Sequence, residues 1–90
     1  MENETKLIET FETFLDNSHF DDIWRNHKRC EICDTIRDYK IGDYLLIIEK
    51  EPLVNGKIRK MYAKINTIYI IKSSKVALLG IEIMNKVGRM

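Results

Sequence analysis

Histidine and cysteine are the residues here whose spacing first suggests chemistry. His27-x-x-Cys30-x-x-Cys33, with His19 upstream, offers the imidazole and thiolate groups that zinc prefers, and four such ligands would close a tetrahedral site. A strand over 30–34 argues against that use. Residues three apart on a strand point to opposite faces and cannot grip one ion, so the two cysteines read as unrelated strand residues and no metal or other cofactor is expected. A redox role would place the first cysteine at a helix N-terminus, whereas a helix precedes this pair.

Cations and aromatic rings make a second constellation. Arg25, His27, Lys28 and Arg29 close a predicted helix, where positive charge complements the dipole. With Arg37 and Lys40 they would also line one rim of an anion-binding cleft and contact phosphates. Trp24, Tyr39, Tyr44, Tyr62 and Tyr69 are candidate stacking platforms for unpaired bases. Among them Tyr39, in the polar turn Arg37-Asp38-Tyr39-Lys40, is the best placed, while Trp24 suits a core. Glu31 and Glu49 are acids in otherwise apolar strands, so each must meet solvent, a cation or a site. A buried carboxylate beside Lys28 would serve as a general acid or base, but an ion pair or a solvent-facing side chain is the commoner outcome. No Ser/His/Asp set, phosphate-cradling glycine loop or H-E-x-x-H helix is present, so no catalytic residue is assigned.

These residues must be carried by a few short elements. Leu7, Ile8, Phe11, Phe14 and Leu15 recur at helical spacing, predicting an amphipathic helix over 5–16. Ser18 followed by Asp21 resembles a capping signal for a second helix, ending near His27, with Phe20, Ile23 and Trp24 on one face. Strands are expected over Cys30 to Asp34, Tyr44 to Lys50, Lys60 to Lys72 and around Leu79 to Ile83. Gly42-Asp43 and Ser73-Ser74-Lys75 supply turns, Pro52 with Asn55-Gly56 a hairpin connection, and Asn85 to Met90 a frayed tail. In the third strand Ala63 and Ile65 alternate with Lys64 and Asn66, so one face is wet.

The chain has 90 residues, enough for one hydrophobic core and one domain, read as an N-terminal helical extension over 1–17 and a core over 18–85. No apolar run approaches the roughly 20 residues of a membrane span, and the acidic start is unlike a signal peptide, so a cytoplasmic protein without a membrane partner is expected. Residues 1 to 22 carry seven Asp/Glu against Lys6 alone, leaving fourteen Lys/Arg against seven acids in the rest. The body is therefore basic and suited to a polyanion.

Phe20-Asp21-Asp22-Ile23, Asn26-His27-Lys28, Glu31-Ile32, Arg37-Asp38-Tyr39 and Gly42-Asp43-Tyr44-Leu45-Leu46-Ile47-Ile48-Glu49 follow one another in an order that resembles the DUF3850 branch of the ASCH/PUA-like superfamily. The resemblance covers residues 18 to 85. It implies an α+β fold, a small PUA-like β-barrel with N-terminal flanking helices, and a cleft lined by Lys28, Glu31, Arg37 and Asp38, with Tyr39 beside it. His27 stands where the family has glycine, Cys33 where it has arginine, and Glu31 where hydrolytic members carry threonine. Binding of RNA or another nucleic acid is thus the expected role, with Lys28, Glu31, Arg37, Asp38, Tyr39 and Lys40 as the site. A phage-type protein-interaction inhibitor docking through the N-terminal helix is the alternative; a nucleoside amidohydrolase using Lys28 and Glu31 is a second.

Overall fold

The computed structural model describes residues 8–26, 29–51 and 58–88. Its elements are β1 (Thr10–Leu15), α1 (Asn17–Asn26), β2 (Arg29–Thr35), β3 (Tyr44–Glu49), β4 (Lys60–Ile71) and β5 (Val76–Val87). The strands form one sheet in the order β1-β3-β4-β5-β2. β1 runs parallel to β3, and the other neighbours are antiparallel.

Two expectations are corrected. Of the helix expected over 5–16, residues 5–7 lie outside the described residues and 10–15 form a strand: β1 turns Phe11, Thr13 and Leu15 toward the core and Thr10, Glu12 and Phe14 outward. Phe11 and Leu15 share a face under either periodicity. Phe14 decides between them, because a helix would bury it beside Phe11 and it stands 56% exposed. Threonine and phenylalanine are weak helix formers that suit a pleated surface, so local preference agrees with the outcome.

The β-barrel with flanking helices is the second correction. Among the described residues the sheet is open, with β1 and β2 as unpaired edges, and α1, between them in sequence, is the one helix. Barrel closure requires the edge strands to hydrogen-bond to each other. Here α1 covers the inner face instead, inserting Phe20 and Ile23 among Ile32, Leu45, Ile47, Met61, Ala63, Ile65, Leu79 and Ile81.

The expected caps, turns and tail are met in part. The Asp16 carboxylate accepts the His19 N–H at 3.0 Å, capping α1 two residues before the expected Ser18. Gly42 takes φ 101°, a conformation that glycine adopts without strain, and positions Asp43 for the start of β3. The Pro52/Asn55-Gly56 connection lies outside the described residues, although β3 and β4 are antiparallel neighbours as a hairpin requires. The expected frayed tail is instead the end of β5, where Asn85, Lys86 and Val87 pair with Tyr62, Met61 and Lys60. Among the described residues no helix is long and apolar enough to cross a membrane.

Gly80 marks a close approach within the sheet. It lies opposite Thr67 and Glu31, and a methyl group there would run into the Thr67 hydroxyl. Threonine is stiff at χ1 and cannot yield cheaply. Gly80→Ala is expected to destabilise the fold by about 1–3 kcal/mol, read as a lower urea midpoint; an unchanged midpoint would show that the strands shift freely.

Candidate nucleic-acid interface

The residues expected to share a cleft divide into separate groups. Lys28 and His27 lie outside the described residues, and with Lys28 goes the proposed Lys28/Glu31 proton-handling pair. Glu31 points outward from β2, opposite Gly80. Asp38 is almost wholly exposed, with the Lys40 ammonium 3.6 Å away.

Arg37 and Tyr39 meet through Asp34. The Tyr39 hydroxyl donates to Asp34 Oδ2 at 2.5 Å, and Arg37 Nη2 lies 3.3 Å from the same oxygen. Burial, then the Asp34 carboxylate, raises the Tyr39 phenol above its ordinary pKa, so it stays a donor. Tyr39 is only 8% exposed and its ring packs 4.7 Å from that of Phe11, so the favoured stacking candidate is spent on the core.

Arg37 also spans the open side of the sheet. The Glu9 and Leu15 carbonyls accept from Tyr44 and Lys50, so in this parallel register the backbone groups of Thr10, Glu12 and Phe14 face away from β3. Arg37 Nη2 caps the Glu12 carbonyl at 2.7 Å while its guanidinium rests near the Phe11 and Tyr39 rings. One side chain thereby ties β1 to the end of β2 and blunts an exposed edge.

Of the two acids singled out in strands, Glu49 is the buried one, and its cation is Arg59. Glu49 Oε1 accepts from the Arg59 backbone N–H and Nε, each at 3.2 Å; Oε2 accepts from Nη2 at 2.9 Å and from Asn17 Nδ2 at 2.6 Å. The remaining Arg59 nitrogen, Nη1, reaches Asp21 Oδ1 at 3.1 Å. Hydrogen bonding from Arg59 holds the Glu49 carboxyl below the usual carboxylate range, outweighing its burial. With every oxygen and nitrogen engaged, this is a clasp between α1 and the sheet and has no lone pair left for a substrate. Arg59 carries no mark in the sequence because it stands between Lys57 and Lys60, with nothing to single it out.

Trp24, another stacking candidate, is also occupied. The Arg59 guanidinium lies 4.9 Å from its ring centroid and Lys86 Nζ 5.5 Å. Cys30 faces the core and Cys33 the solvent, on opposite faces as their spacing requires. Burial raises the Cys30 thiol pKa, which keeps it unreactive.

What stays open is the outer face of the sheet around Leu46 and Ile48, which are themselves buried. Its register aligns Thr10, Tyr44, Lys64, Glu82 and Arg29 in one row across all strands. The next row is Glu12, Leu46, Tyr62 and Asn85, and the one beyond it Phe14, Ile48, Lys60 and Val87. Tyr69 lies farther along β4, 67% exposed.

No family model, curated protein or solved structure matches this chain. The outer face must therefore speak through its own chemistry. Over β1, β3 and β4 it presents the rings of Phe14, Tyr44 and Tyr62 among Lys60 and Lys64, with Lys50 just past the end of β3. Neither Lys60 nor Lys64 forms an ion pair with any described residue, so both charges are available. Glu12 is the one acid in those three rows on these strands; Glu31 and Glu82 belong to the β5–β2 side. The sequence marks Tyr44 and Tyr62 as stacking candidates but ranks Tyr39 above them, because it does not show which side of the sheet each occupies.

Proposed function

We propose that this protein binds single-stranded nucleic acid, RNA foremost, across the outer face of β1, β3 and β4. The observation that carries the reading is the interleaving of Phe14, Tyr44 and Tyr62 with Lys60 and Lys64 on a solvent-facing sheet whose other face is filled by the core. Bases stack on exposed rings at about 1–3 kcal/mol each, and lysines follow the backbone without reading its sequence. Rows on a strand recur every second residue, about 6.6 Å apart, so successive rows can meet successive nucleotides of an extended strand. Lys40, at the rim beside Tyr44, joins this surface; Arg37 and Tyr39 support it from beneath by holding the sheet's open side together.

Binding is expected to be salt-steep and base-tolerant. A labelled oligouridylate titrated at increasing salt should lose affinity log-linearly, with a slope of about −0.7 for each phosphate neutralised. Absence of binding to single-stranded RNA and DNA at low salt would end the proposal.

A protein-docking role is the second reading, favoured by Phe14, whose ring stands exposed beside Ile48 on the edge strand. It differs from nucleic-acid binding in depending on Phe14 rather than on Lys60 and Lys64.

A further inference from the structure

At the corner of the outer face, where the 36–43 loop enters β3, lies a hollow of about 230 Å³ lined by Ile8, Lys40, Ile41, Gly42, Asp43, Tyr44 and Lys64. We infer that this hollow is a nucleotide subsite, taking one base against Tyr44, Ile8 and Ile41 and its phosphate between Lys40 and Lys64. The inference rests on the strand-binding reading and names the place where one nucleotide of the strand is gripped rather than merely stacked.

The charge of the hollow selects an anion. Asp43 is its acid, but Oδ1 accepts the Glu9 N–H at 3.1 Å and Oδ2 the Lys40 N–H at 3.0 Å, and the residue is only 3% exposed. Its carboxylate is consumed by the turn. Lys64 has no ion pair among the described residues, and the Lys40 contact with Asp38 joins two exposed side chains at 3.6 Å, a weak hold that a phosphate can displace. Two lysines thus line the hollow together with apolar residues, a pairing that suits a flat, uncharged ring attached to a phosphate.

The floor is also built in advance. Gly42 N–H donates to the Ile65 carbonyl at 2.9 Å, Ile65 N–H to the Asp43 carbonyl at 2.9 Å, Asp43 N–H to the Lys40 carbonyl at 3.0 Å and Tyr44 N–H to the Glu9 carbonyl at 2.9 Å. Three segments of backbone, at Glu9, 40–44 and Ile65, are thus locked together before any ligand arrives, so little ordering remains to oppose binding. A Cβ at Gly42 would meet nothing within 4 Å, so the turn does not crowd the hollow there. The volume falls short of the about 300–1,000 Å³ of pockets for drug-sized ligands, consistent with one base and not a larger cofactor.

The test compares uridine monophosphate, inorganic phosphate and a short oligouridylate on the full chain, its Lys40→Glu variant and a Lys72→Glu control. Lys72 lies in the turn after β4, so the control makes the same charge change away from the hollow. The mononucleotide is expected to bind more tightly than phosphate, to compete with the oligomer and to lose about tenfold or more in affinity in Lys40→Glu, with Lys72→Glu unchanged. Oligomer binding without mononucleotide binding, or with both indifferent to Lys40→Glu, would overturn the subsite and leave the sheet-face reading intact. Phosphate binding as tightly as the mononucleotide would also overturn it, since the base would then contribute nothing. Mononucleotide binding that is sensitive to Lys40→Glu without any oligomer binding would support the hollow as a site for free nucleotides and overturn the strand-binding reading instead.

Discussion

Arg59→Ala is expected to lower the unfolding free energy by about 3–5 kcal/mol, because it leaves the Glu49 carboxylate buried without its cation. The loss goes beyond one ion pair: the guanidinium also lies 5.1 Å from the Phe20 ring centroid and 4.9 Å from that of Trp24. Replacing both partners with apolar residues, as in Glu49→Leu with Arg59→Met, should recover most of that stability, since no charge is then stranded. Acid titration supplies an independent check. The folded-state pKa of Glu49 lies below its ordinary value of 4.5, so its contribution is complete above that value and is lost as pH falls through the folded pKa. The double variant should show a shallower acid limb than the parent in urea unfolding; equal limbs would mean that Glu49 does not drive the loss.

Reversing Lys60 and Lys64 together to glutamate is expected to weaken oligonucleotide binding by roughly a hundredfold, taking each charged contact at about 1.5 kcal/mol. The salt slope should become shallower by about 1.4, the share of two phosphate contacts on a single strand. Both side chains are exposed and outside every ion pair among the described residues, so the fold should tolerate the change. Retained affinity with an unchanged slope would move the binding surface elsewhere. Loss of a protein partner after Phe14→Ser, with nucleic-acid binding never seen, would favour the docking role.

The strands were the most legible part of the fold. Ala63 and Ile65 against Lys64 and Asn66, and Leu79, Ile81 and Ile83 against Gly80 and Glu82, alternate as the structure has them, because a half-wet sheet writes its period directly into polarity. The segment at 10–15 misled because positions four apart share a face in both a helix and a strand, and only the exposure of Phe14 separates the two. Closure of the sheet was beyond the pattern altogether, as it depends on whether β1 and β2 meet. The site was legible in type and not in place. Tyrosines were singled out as candidate stacking platforms and Lys28 and Lys40 as candidate phosphate contacts, yet Tyr39 and Trp24 turn inward while Tyr44, Tyr62 and Lys64 line up outside, a division set by register. Arg59 carried no local mark, since its partners Glu49 and Asp21 lie 10 and 38 residues away.

The strand order also constrains how the chain can acquire its shape. Both rims of the sheet are made by the first 35 residues, and their only strand neighbours are β3 and β5. During synthesis β1 and β2 therefore leave the ribosome with nothing to pair with, and β2 must wait until β5 has emerged. The β4–β5 hairpin, with its short loop, is expected to form first and act as a template onto which the earlier strands are later laid.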